Sequence, residues 1–163
     1  MPFEPAKEKV WIGSLDETSL KVEAQYNPKE LQLDKTVPWQ KHPKPNSNGL
    51  QLEFTGAEPR QLTVELMFDG YEQNKSIADH IAALEKMSNV RMETGKDEER
   101  RPHHCVVVWG TVLPGTGGGH RFTCVIESMQ TKYTMFHTNG YPLRATVTLK
   151  LKEADRVTMK KKK

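Results

Sequence analysis

The sequence predicts a mainly β, α+β domain: an antiparallel barrel or sandwich with one flanking helix. Short runs of period-two hydrophobicity recur along the chain, each bounded by Gly, Pro, Asn or Asp. A single segment switches to helical spacing. The 163 residues suffice for one domain with its own core, and they contain no internal repeat and no domain-sized linker.

The elements follow in order. Val10–Gly13, "VWIG", is a weak first strand. "SLKVEAQY" sets Leu20, Val22, Ala24 and Tyr26 on one side. Pro38–Asn48 holds three prolines and no apolar period, which predicts a loop. "LQLEF" alternates through Leu50, Leu52 and Phe54, and "QLTVELMFD" through Leu62, Val64, Leu66 and Phe68. "SIADHIAALEKMSN" spaces Ile77, Ile81, Leu84 and Met87 as one face of a helix, with Ser76 as its cap and Asp79 three residues on. Val90–Pro102 carries the charge run "KDEERR" and reads as a loop. "CVVVWG" is continuously apolar, as in a strand buried on both faces. The glycine-rich Leu113–His120 reads as a flexible strand connection. "RFTCVIESM" puts Phe122, Cys124 and Ile126 on one face, with Val125 and Met129 on the other. The last strand alternates most cleanly: Leu143, Ala145, Val147, Leu149 and Leu151 against Arg144, Thr146, Thr148 and Lys150. Before it, Asn139-Gly140 supplies a turn that tolerates positive φ, and Pro142 limits pairing at the strand's start.

Charge and composition exclude several function classes. Net charge is +3, but Lys160–Lys163 alone carry +4, leaving −1 on the remainder. The basicity is thus a solvated tail, 155–163, behind a domain at 1–154, and no nucleic-acid surface is predicted. Cys105–Trp109 is the longest apolar run, far short of the ~20 residues a membrane span needs, so no direct membrane insertion is expected. The N-terminus "MPFEPAKEKV" has no apolar signal core, which predicts cytoplasmic synthesis. Cys105 and Cys124 are too few for a disulfide framework and read as buried thiols, with a bridge open if their strands adjoin.

Catalytic and metal chemistry find little support. "GTVLPGT" at Gly110–Thr116 has the glycine spacing of a phosphate loop but lacks its lysine and leads into a strand. His103, Cys105, His120 and Cys124 offer soft ligands without CxxC or HxxxH spacing, so neither a zinc site nor a Cys–His nucleophile is predicted. No carboxylate pair stands out as acid and base. The expectation is therefore no enzyme, no cofactor and no metal. Trp11 and Trp109 read as core or barrel-rim residues. Trp39, on a polar loop beside Gln40 and Lys41, reads as a contact anchor as much as a packed residue.

Several stretches, taken in order, resemble one family. They are Tyr26-Asn27-Pro28-Lys29-Glu30, Phe54-Thr55-Gly56, Pro59-Arg60, Leu66-Met67-Phe68-Asp69, "VVVWG", and the run "FTCVIESMQTKYTMFHTNGYPLRATVTLKLKE". Together they resemble the N-terminal domain of contractile injection system tube and baseplate proteins, components of phage-tail-like particles. The likeness spans residues 10–154. It implies a β-barrel or sandwich of the phage tail-tube type with a flanking helix, six copies to a ring around a channel, and coaxially stacked rings.

The nearest resemblance is to a LysM-type baseplate hub or tube initiator, which adapts a spike to the tube. Here the chain stops at Lys163 without the LysM module, implying a tube-domain-only form. Implied partners are further copies, the spike and inner-tube proteins, and baseplate wedge proteins, in a particle assembled after cytoplasmic synthesis. A repeating inner-tube subunit and a non-catalytic β-barrel binding module are the alternatives. In a ring, Arg144, Thr146, Thr148 and Lys150 are expected to face the channel or a neighbour. Thr36–Gly49, anchored by Trp39, Gln40 and Lys41, is expected to reach an adjacent ring.

Overall fold

Strand β9, Pro142–Glu153, forms the spine of the molecule because it is paired along both sides. The structure, a computed structural model, describes residues 8–42, 46, 48–92 and 94–160. Met1–Lys7, part of the proline-rich loop (Pro43–Pro45 and Ser47), Glu93 of the charged loop and Lys161–Lys163 of the basic tail lie outside the described residues.

The strands are β1 (Trp11–Ser14), β2 (Lys21–Glu23), β3 (Leu31–Asp34), β4 (Trp39–His42), β5 (Gln51–Phe54), β6 (Gln61–Asp69), β7 (Cys105–Val108), β8 (Phe122–Phe136) and β9. One sheet has the order β2-β1-β7-β8-β9-β6-β3, antiparallel throughout. The fold is the expected antiparallel β architecture with one helix, α1 (Ala78–Ser88). The sheet is open, however, and among the described residues no ladder joins β2 to β3 to close a barrel.

The register follows the sequence pattern where that pattern is strong. Leu143, Ala145, Val147, Leu149 and Leu151 are all buried, as are Leu62, Val64, Leu66 and Phe68 on β6. Leu149 lies opposite Val64 on one side and Met129 on the other. A one-residue slip would carry Arg144 and Lys150 inward, so burial fixes the pairing. Ile81, Leu84 and Met87 of α1 close over this apolar face. The N-cap residue is Ile77 rather than the expected Ser76, whose hydroxyl accepts the Ala78 N–H at 3.1 Å from one residue earlier. Ile77 donates its own N–H to Pro142 O at 3.1 Å, which docks the helix start onto β9. Gly70 is required by close approach: a Cβ there would meet Lys75 O at 2.0 Å.

Two features depart from the sequence pattern. The ladder between β8 and β9 shifts between Ile126 and Ser128, so Glu127 is an extra residue and the parity of β8 reverses. Met129, expected opposite to Phe122, therefore packs against the core. The same bulge disguises the second half of β8, where a strict two-residue period no longer runs through. The second departure is the hairpin β4–β5. Pro38–Asn48 begins with a strand rather than a loop, and Trp39 pairs with Phe54 and Lys41 with Leu52. Leu50, Leu52 and Phe54 alternate as expected, but on an exposed hairpin that forms its own two-stranded sheet.

Replacing Leu149 by Ala should cost about 2–5 kcal/mol in urea unfolding, the range for a fully buried leucine. Thr148→Ala, on the opposite face, should stay within about 0.5 kcal/mol.

Candidate functional site

Strand β8 outlasts its neighbour. Strand β7 pairs only with Phe122, Thr123 and Cys124, whereas β9 pairs with β8 out to Phe136. From Val125 to Phe136 the other side of β8 has no strand beside it among the described residues. Between its register shifts, every second residue there directs its N–H and C=O away from β9, and α1 packs beside part of the strand. Backbone groups of this kind are obligatory hydrogen-bonding groups, and a long bare edge is a template for another strand.

Beside that edge lies a continuous polar face. Thr146 sits between Met67 and Lys132, Thr148 between Glu65 and Gln130, and Lys150 between Thr63 and Ser128. Opposed residues share a face, so the four expected residues of β9 do lie together. Arg144 has a partner within its own chain: its Nε and Nη2 donate to Asp69 Oδ2 at 3.1 and 3.0 Å. The Tyr71 N–H and the Arg144 guanidinium hold the Asp69 carboxyl below its usual range. Gln25 grips the Asp69 backbone like a short strand, accepting its N–H and donating to its carbonyl, both at 2.8 Å.

The hairpin supplies a third surface. Trp39 and Phe54 stand 5.7 Å apart between ring centroids, and both are more than half exposed. Leu52 and Lys41 share their face by the period of the strands. Gln40 and Glu53 lie on the reverse side, where His42 pairs with Glu53. Of the three expected arm residues, Trp39 and Lys41 thus point to one side and Gln40 to the other. The hairpin leaves and rejoins the sheet at one end, since Asp34 of β3 lies opposite Gln61 of β6.

Residues singled out by resemblance fasten these parts. Asn27 accepts the Val10 N–H at 3.0 Å and donates to Glu8 O at 2.8 Å. Arg60 donates through Nε to Glu153 Oε1 at 3.0 Å and through Nη2 to Gly115 O at 3.1 Å. Thr116 donates to Glu153 Oε2 at 3.0 Å. The loop expected to be flexible, Leu113–His120, is therefore bonded to the foot of the hairpin. Hydrogen bonds from Arg60 lower the Glu153 pKa, and the reciprocal interaction raises that of Arg60.

The soft-ligand candidates have structural partners. Cys105 and Cys124 are directly opposed across β7 and β8, both fully buried and unbridged. Burial pushes the Cys105 thiol up to about 12 and Cys124 well above its ordinary value. His120 bonds the Leu113 carbonyl at 3.0 Å. The Ser14 hydroxyl accepts the Asp16 and Glu17 N–H groups, so its own proton goes to His103 Nδ1 at 2.6 Å. His103 is consequently neutral. Burial lowers its pKa, with the nearby Arg91 adding to the effect.

Within the curled sheet the apolar interior leaves a cavity of about 10 Å³ among Val10, Ile12, Val22, Val64 and Leu149, against the ~300 Å³ or more of a small-molecule pocket. Among the described residues, no helix is long and apolar enough to cross a membrane.

An open sheet with a bare edge, a polar face and an uncovered apolar hairpin has the anatomy of a subunit of a larger assembly. The chain belongs to the contractile injection system tube protein family, whose family model matches residues 8–162. It is a tube component of such a system. No curated protein matches it.

Stability should be constant above about pH 6.5 and fall as pH drops below it. The unfolded His103 takes up a proton near its ordinary value, whereas the folded one resists until lower pH. Urea midpoints measured between pH 7.5 and 5 should show this decline in the native chain. The decline should flatten in His103→Asn.

Proposed function

We propose that this chain closes with further copies into a hexameric ring of the inner tube, at the baseplate end where the tube meets the spike. The observation that carries the reading is the edge of β8 from Val125 to Phe136, which has no strand beside it among the described residues. A closed ring needs two different, complementary surfaces on each subunit. The β8 edge is one of them. The part of β6 beyond the reach of β3 and short of the Gln25 contact, Glu65–Phe68, lies on the far side of β9 and offers the other. Pairing edge to edge would continue one sheet from subunit to subunit and satisfy backbone groups that a single chain leaves to water.

In such a ring the polar face with Thr146, Thr148 and Lys150 lines the channel, and Arg144 is held at its end by Asp69. That face mixes both signs of charge, which suits passage of unlike cargo without strong adhesion. The hairpin with Trp39, Gln40 and Lys41 then reaches along the axis to the adjacent ring. Spike, inner-tube and wedge proteins are the partners this position supplies. Family membership supports a repeating subunit of the tube equally well, and both positions use the same ring contact.

Adjacent prolines separate assembly from folding. Along a regular strand, successive N–H groups point to opposite sides, and Gln130 and Thr131 lie in the regular stretch between the shift after Ile126 and the shift after Tyr133. One of Gln130→Pro and Thr131→Pro removes an outward N–H. It should fold normally by circular dichroism yet fail to form rings by light scattering and negative-stain microscopy. The other breaks the β9 ladder and should lose stability. Normal rings from both variants would reject the edge contact.

A further inference from the structure

Besides the hairpin, the chain exposes a second apolar surface, at the opposite end of the same sheet. Tyr71 is 61% exposed, Phe136 63% and Tyr133 43%. Tyr133 and Phe136 stand 6.3 Å apart between ring centroids. Tyr141 stacks on His137 at 4.3 Å and reaches Asn74 at 3.5 Å. Local bonds hold this group in place: Gly70 N–H to Leu143 O at 2.8 Å and His137 N–H to Tyr141 O at 2.9 Å. These aromatics sit beside Asp69, the last residue of β6, whereas the hairpin departs beside Gln61, the first. Strand β6 is nine residues long, so the two surfaces are separated by roughly 27 Å at about 3.4 Å per residue.

We infer that the aromatic end formed by Tyr71, Tyr133, Phe136 and Tyr141 is the seat for the β4–β5 hairpin of a second copy of this chain. The inference rests on the reading of the hairpin as an axial arm and names the surface the arm meets. The two surfaces match in chemistry. Trp39, Leu52 and Phe54 form an apolar face of side chains each more than half exposed, the kind of surface that marks an interaction site, and aromatic pairs gain beyond the area they bury. The charges also match. Lys41 is the charged group of the hairpin's apolar face, and the segment from Tyr71 into the first turn of α1 exposes the acidic Glu72 and Asp79 with one cation, Lys75, between them. The tyrosine rings offer the same ammonium group a cation–π face. The placement at opposite ends of one strand makes the contact head-to-tail. It does not close on itself between two copies, so it propagates along the strand direction.

The test replaces Phe54 of the full chain by the photo-crosslinking residue p-benzoylphenylalanine and maps adducts by mass spectrometry across a concentration series. The expected result is intermolecular adducts at Tyr71, Tyr133, Phe136 or Tyr141. They should be lost when the second copy carries Tyr71→Ala and Phe136→Ala, exposed changes that leave the circular dichroism spectrum unaltered. Adducts elsewhere on a second copy would overturn the seat while keeping the arm. Absence of any intermolecular adduct would overturn both. Particle mass, read on the same samples, reports on ring closure separately.

Discussion

The fold depends on the double pairing of β9. Its five apolar side chains enter the core while its backbone bonds β6 on one side and β8 on the other. A strand satisfied on both sides can be neither slipped nor removed without exposing several large apolar groups, each worth about 1.5–3 kcal/mol on burial. Both flanking strands are thereby held in place, β8 with register shifts after Ile126 and beyond Tyr133. The unpaired edge of β8 is held in place by its ladder to β9. An edge held in this way loses little conformational entropy when another strand pairs with it.

The remaining parts attach to this spine through few, well-bonded joints. Strands β2, β1 and β7 meet it through three residue pairs of β7 and β8, with Cys105 and Cys124 opposed among them. Helix α1 fills the angle that opens beyond those pairs, docked at its start by Pro142 and at its end by the His103 N–H bonded to Met87 O at 3.2 Å. The hairpin is tied at its foot by Arg60, Glu153 and Thr116. An arm anchored this way can carry an uncovered apolar face without that face collapsing onto its own sheet. The Asp69–Arg144 pair does similar work at the other end, where Gln25 and Tyr71 converge on the same residue. Both charged joints lie at the ends of β6, the strand that separates the two exposed apolar surfaces.

Much of this was legible in the sequence. The β9 pattern, the β6 pattern and the single amphipathic helix specify burial directly, because one face of each must leave water. Trp39 announced itself as a large aromatic among polar residues. The bulge at Glu127 was not legible, since alternation on either side of it is individually weak and the parity reverses between them. Leu50, Leu52 and Phe54 carry a true strand period, but a period shows which residues share a face and not what covers that face. Strand β3, only four residues with both apolar positions partly exposed, gave too little contrast to stand out. The seat aromatics are scattered through sequence at Tyr71, Tyr133, Phe136 and Tyr141, and only the turns at one end of the sheet bring them together.

The central claim is that the outer side of β8 is completed by another copy. Amide hydrogen exchange of the isolated chain against the assembled ring addresses it residue by residue. In the isolated chain, alternate amides from Val125 to Phe136 should exchange rapidly while their neighbours, bonded to β9, are protected. On assembly the rapid set should become protected, along with outward amides of Glu65–Phe68. If rings form and those amides keep exchanging at the rate of the isolated chain, the subunits meet elsewhere and the account is wrong.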